Sequence, residues 1–346
     1  MAYSVDEEIA NFFERTTATR SACDTFAREH LGGKVVPVAV QGVCSYTVYA
    51  GPDDEFVAQF HLKPHRLDME TVDLARTIYG DYAPQVAFRG EVVENVEGKE
   101  TLYIYVMCRI PGISYLDFIL AHNSQVPKNS VEFSSWRQNF IIDVARFFAL
   151  SWKSPQVVDQ IYSDSLHHQH KRDLELLLIS LPDRFRPLIQ RPISALPSVL
   201  SLPMVLLHKD FGACNIMVKE TSCNLVGVVD WAEAEVAPFG LNLHSHQRLI
   251  SNIHLKTGWI IYDDYTILED LFWSTFNKEA GGLGNETIET IKAARTVGLL
   301  LSRGFTSRLP NAPAPVPIRD DESGAYNMHD LDGLLINLST RFTDLA

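Results

Sequence analysis

The 346-residue chain is 46% hydrophobic, with 43 acidic against 30 basic side chains and a formal charge of -13. It is too apolar for a disordered chain and can build one large core or two lobes, while its negative balance disfavours phosphate backbones and anionic bilayers as partners, so neither nucleic acid nor membrane is expected. Five scattered cysteines without a C-x-x-C pair fit reduced thiols, early acids at Asp6, Glu7, Glu8 and Glu14 argue against a leader peptide, and no run approaches the ~18 apolar residues of a membrane span, so a soluble cytoplasmic protein is expected.

Residues 5 to 31 carry apolar positions at helical spacing (Ile9, Phe12, Phe13, then Cys23, Phe26, Ala27), which predicts one or two lead-in helices. From Val35 the pattern turns to strand. "VVPVAVQGVCSYTVYAG" and "EFVAQFHL" are β-branched and aromatic, separated by Gly51-Pro52-Asp53-Asp54 as in an antiparallel hairpin. A helix is predicted from Asp68 to Tyr79, then strands in "QVAFRGEVVEN" and "ETLYIYVMCRI".

Beyond Pro111-Gly112 the pattern is helical: "SYLDFILAH", then "WRQNFIIDVARFFALSW", then "RDLELLLISL". Short strands are expected near 204 to 231, then helices over 243–256, 263–277 and 285–302, a proline-rich loop in "RLPNAPAPVPIRDDESG" and a last helix near 328–343. The cluster His167, His168 and His170 lacks a matching carboxylate or cysteine spacing and is read as a solvated helix start. The expected division is a small β-rich lobe over residues 1–110, a hinge at about 107 to 112, and a larger helical lobe over 111–346.

One stretch, "LLHKDFGACNIMV", sets three polar groups between apolar runs at the spacing His-x-Asp-x-x-x-x-Asn. After it, "IMVK", the turn "ETSCN" and "LVGVVD" read as a hairpin. If the turn centres on Ser222 and Cys223, antiparallel pairing sets Asn215 opposite Asp230. An Asn carbonyl beside an Asp carboxylate suits Mg²⁺, a hard cation that takes few protein ligands plus phosphate oxygens. Asp210 would then lie beside the metal and accept a proton from an attacking hydroxyl. The other reading is a capped turn whose polar groups are satisfied by backbone.

With "HKDFGACNIMV" and "GVVDWAEAEVAPFG", the sequence resembles the aminoglycoside phosphotransferase and choline kinase branch of the kinase-like fold, in motif style closest to fungal members. The resemblance implies an α+β, bilobal protein-kinase-like fold with a small antiparallel β-rich N-terminal lobe. It also implies ATP and Mg²⁺ as cofactors, a small-molecule hydroxyl as acceptor, Asp210 as base, Asn215 and Asp230 as metal ligands, and His208 as an orienter of the catalytic loop. Asp230-Trp231 takes the place of the kinase Asp-Phe-Gly.

In the first lobe the family expects a phosphate-covering loop, where Gly42 and Ser45 offer donors unless Gly42 is an ordinary hairpin glycine. The strand position where it expects a phosphate-anchoring lysine carries Gln59, with His61 and Lys63 on the same face. Glu70 and Asp73 are the candidate helix carboxylates, or else solvent-facing charges. Backbone groups of about Met107 to Arg109 would meet an adenine edge, or the segment is a plain linker.

For the acceptor, Trp259, Tyr262, Asp263, Asp264 and Tyr265 suit an amine through charge and cation-π contact, or else mark a helix start with a core tryptophan. Glu233 and Glu235 lie nearer the expected reaction centre, or form local ion pairs. Loss of the strand lysine keeps two alternatives open: a nucleotide-binding pseudokinase, or a kinase-fold cleft reused for another reaction on a metabolite.

Overall fold

The computed structural model of the protein describes residues 4–92, 100–122, 130–254, 258–306 and 314–345. The chain divides into two compact units. The first holds residues 1–111 with the segment Gly227–Ala232, and the second holds the rest.

The first unit begins with helices α1 (Val5–Phe13) and α2 (Arg20–Leu31), started by Ser4 and Thr19, whose hydroxyls accept backbone N–H bonds at each N-terminus. Strands β1 (Val36–Pro37), β2 (Ser45–Ala50), β3 (Phe56–Leu62), β4 (Val86–Val92) and β5 (Leu102–Cys108) form one antiparallel sheet in the order β1-β2-β3-β5-β4. Between β3 and β4 runs helix α3 (Met69–Tyr79), with Asp68 as its N-cap. Ile9, Phe12, Cys23 and Ala27 on the two helices pack against Tyr46, Val48, Phe60 and Ile104 on the sheet. The predicted strand at 85–95 is present as far as Val92, and its last residues lie outside the described ones.

The second unit contains β6 (Ile113–Ser114), α4 (Tyr115–His122), α5 (Val131–Trp152), α6 (Gln160–Ser180) and α7 (Arg186–Leu200). Next come β7 (Met204–Leu207), β8 (Ile216–Val218), β9 (Leu225–Val228) and β10 (Glu235–Pro238), then α8 (His244–Leu249), β11 (Ser251–His254) and β12 (Gly258–Ile261). Helices α9 (Tyr265–Glu279), α10 (Asn285–Arg303) and α11 (Ala325–Leu331) complete it. Strand β9 runs from this unit into the Gly227–Ala232 segment. At the start of the unit, Gly112 has φ +137, and a Cβ there would lie 2.5 Å from the Val218 carbonyl oxygen, so only glycine lets β6 approach β8 this closely.

Four expectations are corrected. The helix expected over 243–256 ends at Leu249, and an antiparallel hairpin of β11 and β12 follows, favoured by the β-branched Ile253, Ile260 and Ile261 and by Gly258 at φ +83. His167, His168 and His170 lie inside α6 rather than at its start, which Asp159 caps. Helix α7, with Pro192 and Pro197 inside it, was not among the expected elements. The last helix begins at Ala325, not near 328, and gives way to a π-helical turn at Asp332–Ile336. Of the proline-rich loop, residues 307–313 lie outside the described residues, and among those described no helix is long and apolar enough to cross a membrane.

Arg295 of α10 is fully buried in the second unit's core. It bonds Glu269 of α9 at 3.1 Å and also Asp344 near the C-terminus, with the Phe342 ring 4.0 Å from its guanidinium carbon. Removing one partner of such a group leaves uncompensated buried charge. Arg295→Met is therefore expected to destabilise the second unit by about 3–5 kcal/mol, read as a lowered urea midpoint. An unchanged midpoint would show that the two carboxylates reach water without it.

Candidate active site

Strand β7 runs Met204-Val205-Leu206-Leu207, with Val205, Leu206 and Leu207 buried, and pairs with β10 so that Leu207 faces Glu235. His208 follows, buried, with its carbonyl accepting from Asn242 Nδ2 at 3.3 Å and its ring edge-on to Phe211. The chain then leaves the sheet. Lys209 and Asp210 face solvent, while Phe211 returns to the core between Phe147 and Phe148, at ring distances of 5.2 and 5.1 Å. Alternation of one buried aromatic with exposed polar neighbours thus anchors the loop and projects Asp210.

The loop closes on itself. The backbone N–H groups of Asn215 and Ile216 both donate to the Gly212 carbonyl, at 2.9 and 3.1 Å. The Asn215 side chain points back, its Nδ2 donating to the Asp210 carbonyl at 3.0 Å and to Asp210 Oδ2 at 2.8 Å. Two acceptors on one side fix the amide orientation, which leaves Asn215 Oδ1 outside these two bonds. The Ala213 carbonyl accepts from Leu116 N–H at 3.0 Å, tying the loop to α4. Lys209 pairs with Glu235 at 3.1 Å, so Glu235 belongs to a local ion pair, and Glu233 is exposed.

The hairpin after Asn215 closes differently from the expectation. Lys219 N–H donates to the Asn224 carbonyl at 2.8 Å, Cys223 N–H to the Lys219 carbonyl at 2.8 Å, and Cys223 has φ +57. The centre therefore falls at Thr221 and Ser222, one residue earlier than supposed. Counting from it, the register partner of Asn215 is Val228, and the pairing that set Asp230 opposite Asn215 is corrected. Asp230 itself is exposed at φ +65, a left-handed conformation that non-glycine residues seldom take and that marks functional turns. Beside it Trp231 is buried, donating through Nε1 to the Val228 carbonyl at 2.9 Å and packing 4.8 Å from the Tyr79 ring of α3.

In the first unit, Gly42 is exposed and Ser45 is buried, with Oγ 3.3 Å from Thr47 Oγ1. The residue that shapes this loop is Gln41. Its side-chain amide donates to the Val38 and Thr47 carbonyls and accepts from Thr47 N–H, replacing strand pairing where β1 has ended. No pattern in the sequence marks that role.

Gln59 sits mid-sheet, opposite Thr47 on β2 and Tyr105 on β5. Its Oε1 lies 3.2 Å from His61 Nε2, and His61 Nδ1 lies 2.9 Å from the His65 carbonyl. Burial pushes the His61 pKa down to about 4, so the ring is neutral near pH 7, and its Nδ1–H is the one that can donate to that carbonyl. The face around Gln59 is therefore without positive charge from either residue. Glu70 and Asp73 are exposed on α3, and neither forms an ion pair among the described residues.

Arg109 corrects the connector expectation in part. Its backbone N–H donates to the Glu55 carbonyl at 2.8 Å, and its guanidinium stacks 4.0 Å from the Tyr49 ring, so that N–H is spent inside the unit. Met107 is a buried strand residue paired with Val57 and Val86.

The acidic-aromatic cluster is also consumed internally. Asp264 holds the N-cap position of α9 without a side-chain cap bond, because its Oδ2 accepts from Arg137 Nη2 at 2.7 Å, Arg137 Nε at 3.0 Å and Ser134 Oγ at 3.0 Å. The cation over Tyr262 is that same Arg137, 4.7 Å from the ring centre. Trp259 is buried, so close to Gly333 that a Cβ there would fall 2.2 Å from the indole, and Asp263 is exposed. Of the residues expected to receive an external amine, Asp264 and Tyr262 have taken an arginine of the chain instead.

Residues 82–251 match the model of a family described as the phosphotransferase enzyme family. The matched stretch belongs to that family. This phosphotransferase segment carries His208, Asp210, Asn215 and Asp230, while Gly42, Ser45 and Gln59 precede it and Trp259, Asp263 and Asp264 follow it. The fold is similar to that of wild-type aminoglycoside 2'-phosphotransferase-IIIa, solved as its GDP complex, at 13% identity over 90% of this chain and 96% of that chain, with a TM-score of 0.52. A candidate aminoglycoside phosphotransferase from Ralstonia eutropha JMP134 is similar at 14% identity over 89% and 93% of the two chains, with a TM-score of 0.51. The α+β, kinase-like fold expected for the family is thus present. A search among curated proteins finds no match.

Proposed function

We propose that the chain is an ATP- and Mg²⁺-dependent phosphotransferase acting on a hydroxyl group of a small molecule. The observation that carries this reading is the bond from Asn215 Nδ2 to Asp210 Oδ2 within a phosphotransferase-family segment. It holds an exposed carboxylate in place beside the Asn215 amide. Asp210 would orient the acceptor hydroxyl and take up its proton as the bond to phosphorus forms.

Asn215 Oδ1 and the Asp230 carboxylate would hold Mg²⁺, a pair of hard oxygen donors suited to a cation that keeps waters and phosphate oxygens. When bound, that ion would offset charge on the phosphates. His208, buried behind the loop, would orient it rather than react. The free cysteines agree with a reducing compartment such as the cytoplasm.

A second reading, a nucleotide-binding protein without transfer activity, is favoured by the uncharged Gln59 and His61 pair. Calorimetric titration of ATP with and without Mg²⁺ separates the two from an empty fold. Magnesium-dependent binding, weakened about tenfold or more by Asp230→Ala, is expected. Absence of binding at millimolar ATP would sink the phosphotransferase reading. Binding without transfer to any acceptor would favour the second.

A further inference from the structure

Three helix ends of the second unit bring together charges that the proposed chemistry does not use. Arg248 closes α8, Arg303 closes α10, and Asp330 lies in α11. Asp330 is fully buried. Both arginines approach its Oδ2 by way of Nε, Arg303 at 3.0 Å and Arg248 at 3.6 Å, with side chains only 22% and 19% exposed. Arg248 is steadied by Tyr326, whose hydroxyl accepts from its Nη2 at 2.6 Å.

The charges do not balance. Two guanidiniums share one carboxylate, leaving a positive charge in a poorly solvated place on a chain that is strongly acidic overall. The sharing is also loose. Neither arginine Nε and neither Asp330 oxygen makes a hydrogen bond of good geometry among the described residues, so the charges meet without the directed bonds that arginine usually forms with a carboxylate. His244, next to these arginines, adds no charge: burial first, then Arg303 and Arg248, push its pKa down to about 3. Burial and the neighbouring Arg248 lower the pKa of Arg303, and Asp210 is among the carboxylates whose field works against that. Asn242, just ahead of α8, donates to the His208 carbonyl at 3.3 Å, so the helix that carries Arg248 is tied to the loop that carries Asp210.

We propose that Arg248 and Arg303, seated on Asp330, receive an anionic oxygen group, a carboxylate or a phosphate, carried by the hydroxyl compound on which Asp210 acts. This rests on the phosphotransferase reading for the word acceptor, but the anion receptor itself does not. Planar guanidiniums match such groups, and an incoming anion supplies the charge that these three side chains together lack. The assignment also reverses the amine expectation, one of whose two aspartates, Asp264, is already paired with Arg137.

The test uses the full chain without nucleotide. Inorganic phosphate and malonate are titrated separately by calorimetry into the wild type, Arg303→Gln and Arg303→Lys. Saturable binding of at least one anion is expected, about tenfold or more weaker in Arg303→Gln and partly recovered in Arg303→Lys. Which anion binds tells phosphate from carboxylate recognition. No saturable binding of either, or equal binding in the wild type and Arg303→Gln, overturns the proposal. Should Arg303→Gln fail to fold, the wild type decides: with MgATP, glycerol 3-phosphate or glycerate is expected to be phosphorylated in preference to glycerol and serinol, and the reverse order overturns it. ATP binding is measured apart from these titrations. Its absence beside Arg303-dependent anion binding would remove the phosphotransferase reading and leave the receptor, whereas intact ATP binding without an anion site would do the opposite.

Discussion

Alanine at position 210 is expected to slow phosphate transfer by about 10²- to 10⁴-fold, the range that a positioned general base contributes. The effect should fall on kcat, with ATP affinity changed by no more than about threefold, because the carboxylate orients the acceptor rather than the nucleotide. The geometry makes this more than an analogy with kinases. Asp210 Oδ2 accepts from Asn215, so on the proposed reading Oδ1 would be the oxygen that meets the acceptor hydroxyl, and the buried Phe211 anchors the loop. Asp210→Asn separates charge from shape. It retains the side-chain volume but sets a second amide against Asn215, so it should be nearly as slow as alanine. The measurement is ADP release in the presence of an acceptor that the wild type turns over. A rate within about threefold of wild type for both variants would remove Asp210 from the reaction.

How far this site can be read from sequence follows from which interactions are local. The β2 and β3 hairpin is legible because alternating β-branched and aromatic residues flank a Gly-Pro-Asp-Asp turn, and α3 because Asp68 caps an apolar stripe. The His208 to Asn215 loop is legible for the same reason: its defining bonds span five residues. The hairpin after it was misjudged by one residue, since a loop with a left-handed Cys223 looks like any polar turn until its hydrogen bonds are seen. Long-range pairs leave no such trace. Arg137 reaches Asp264 across 127 positions and converts an apparent ligand site into a structural ion pair. Arg248, Arg303 and Asp330 meet only because three helices end together, and nothing local to any of them announces it. Helix α7 shows a different failure, in which interior prolines are tolerated because Ile189, Leu196 and Val199 bury one face of the helix.

Stability is expected to fall steeply as pH drops below about 6.5, before most carboxylates titrate. Three deeply buried histidines carry most of this. Burial pushes His61 down to about 4, burial with Arg303 and Arg248 pushes His244 down to about 3, and burial pushes His246 down to about 3 against the pull of Glu269. Once unfolded, each ring binds a proton near its ordinary pKa, so between pH 6.5 and 4 the unfolded chain holds more protons than the folded one, and stability rises with pH. Each ring contributes up to about 1.4 kcal/mol per pH unit in that window, or about 2 kcal/mol at pH 5. Two carboxylates enter only at lower pH, with opposite signs. Burial raises Glu269, but Arg295 and His246 outweigh it and hold the carboxyl below its usual range, so its contribution is lost on acidification. Asp330 is raised by burial despite its two arginines, so its protonation favours the folded state. Urea titrations at pH 7, 6 and 5 should show a falling midpoint, and an unchanged midpoint would mean that these rings protonate in place. Because His61 lies in the first unit and the other two in the second, His61→Gln should flatten the pH dependence of first-unit probes, and His246→Gln that of second-unit probes. The His246 ring stacks 4.0 Å from Phe272, so this last variant is expected to lower stability at pH 7 while making it less sensitive to acid.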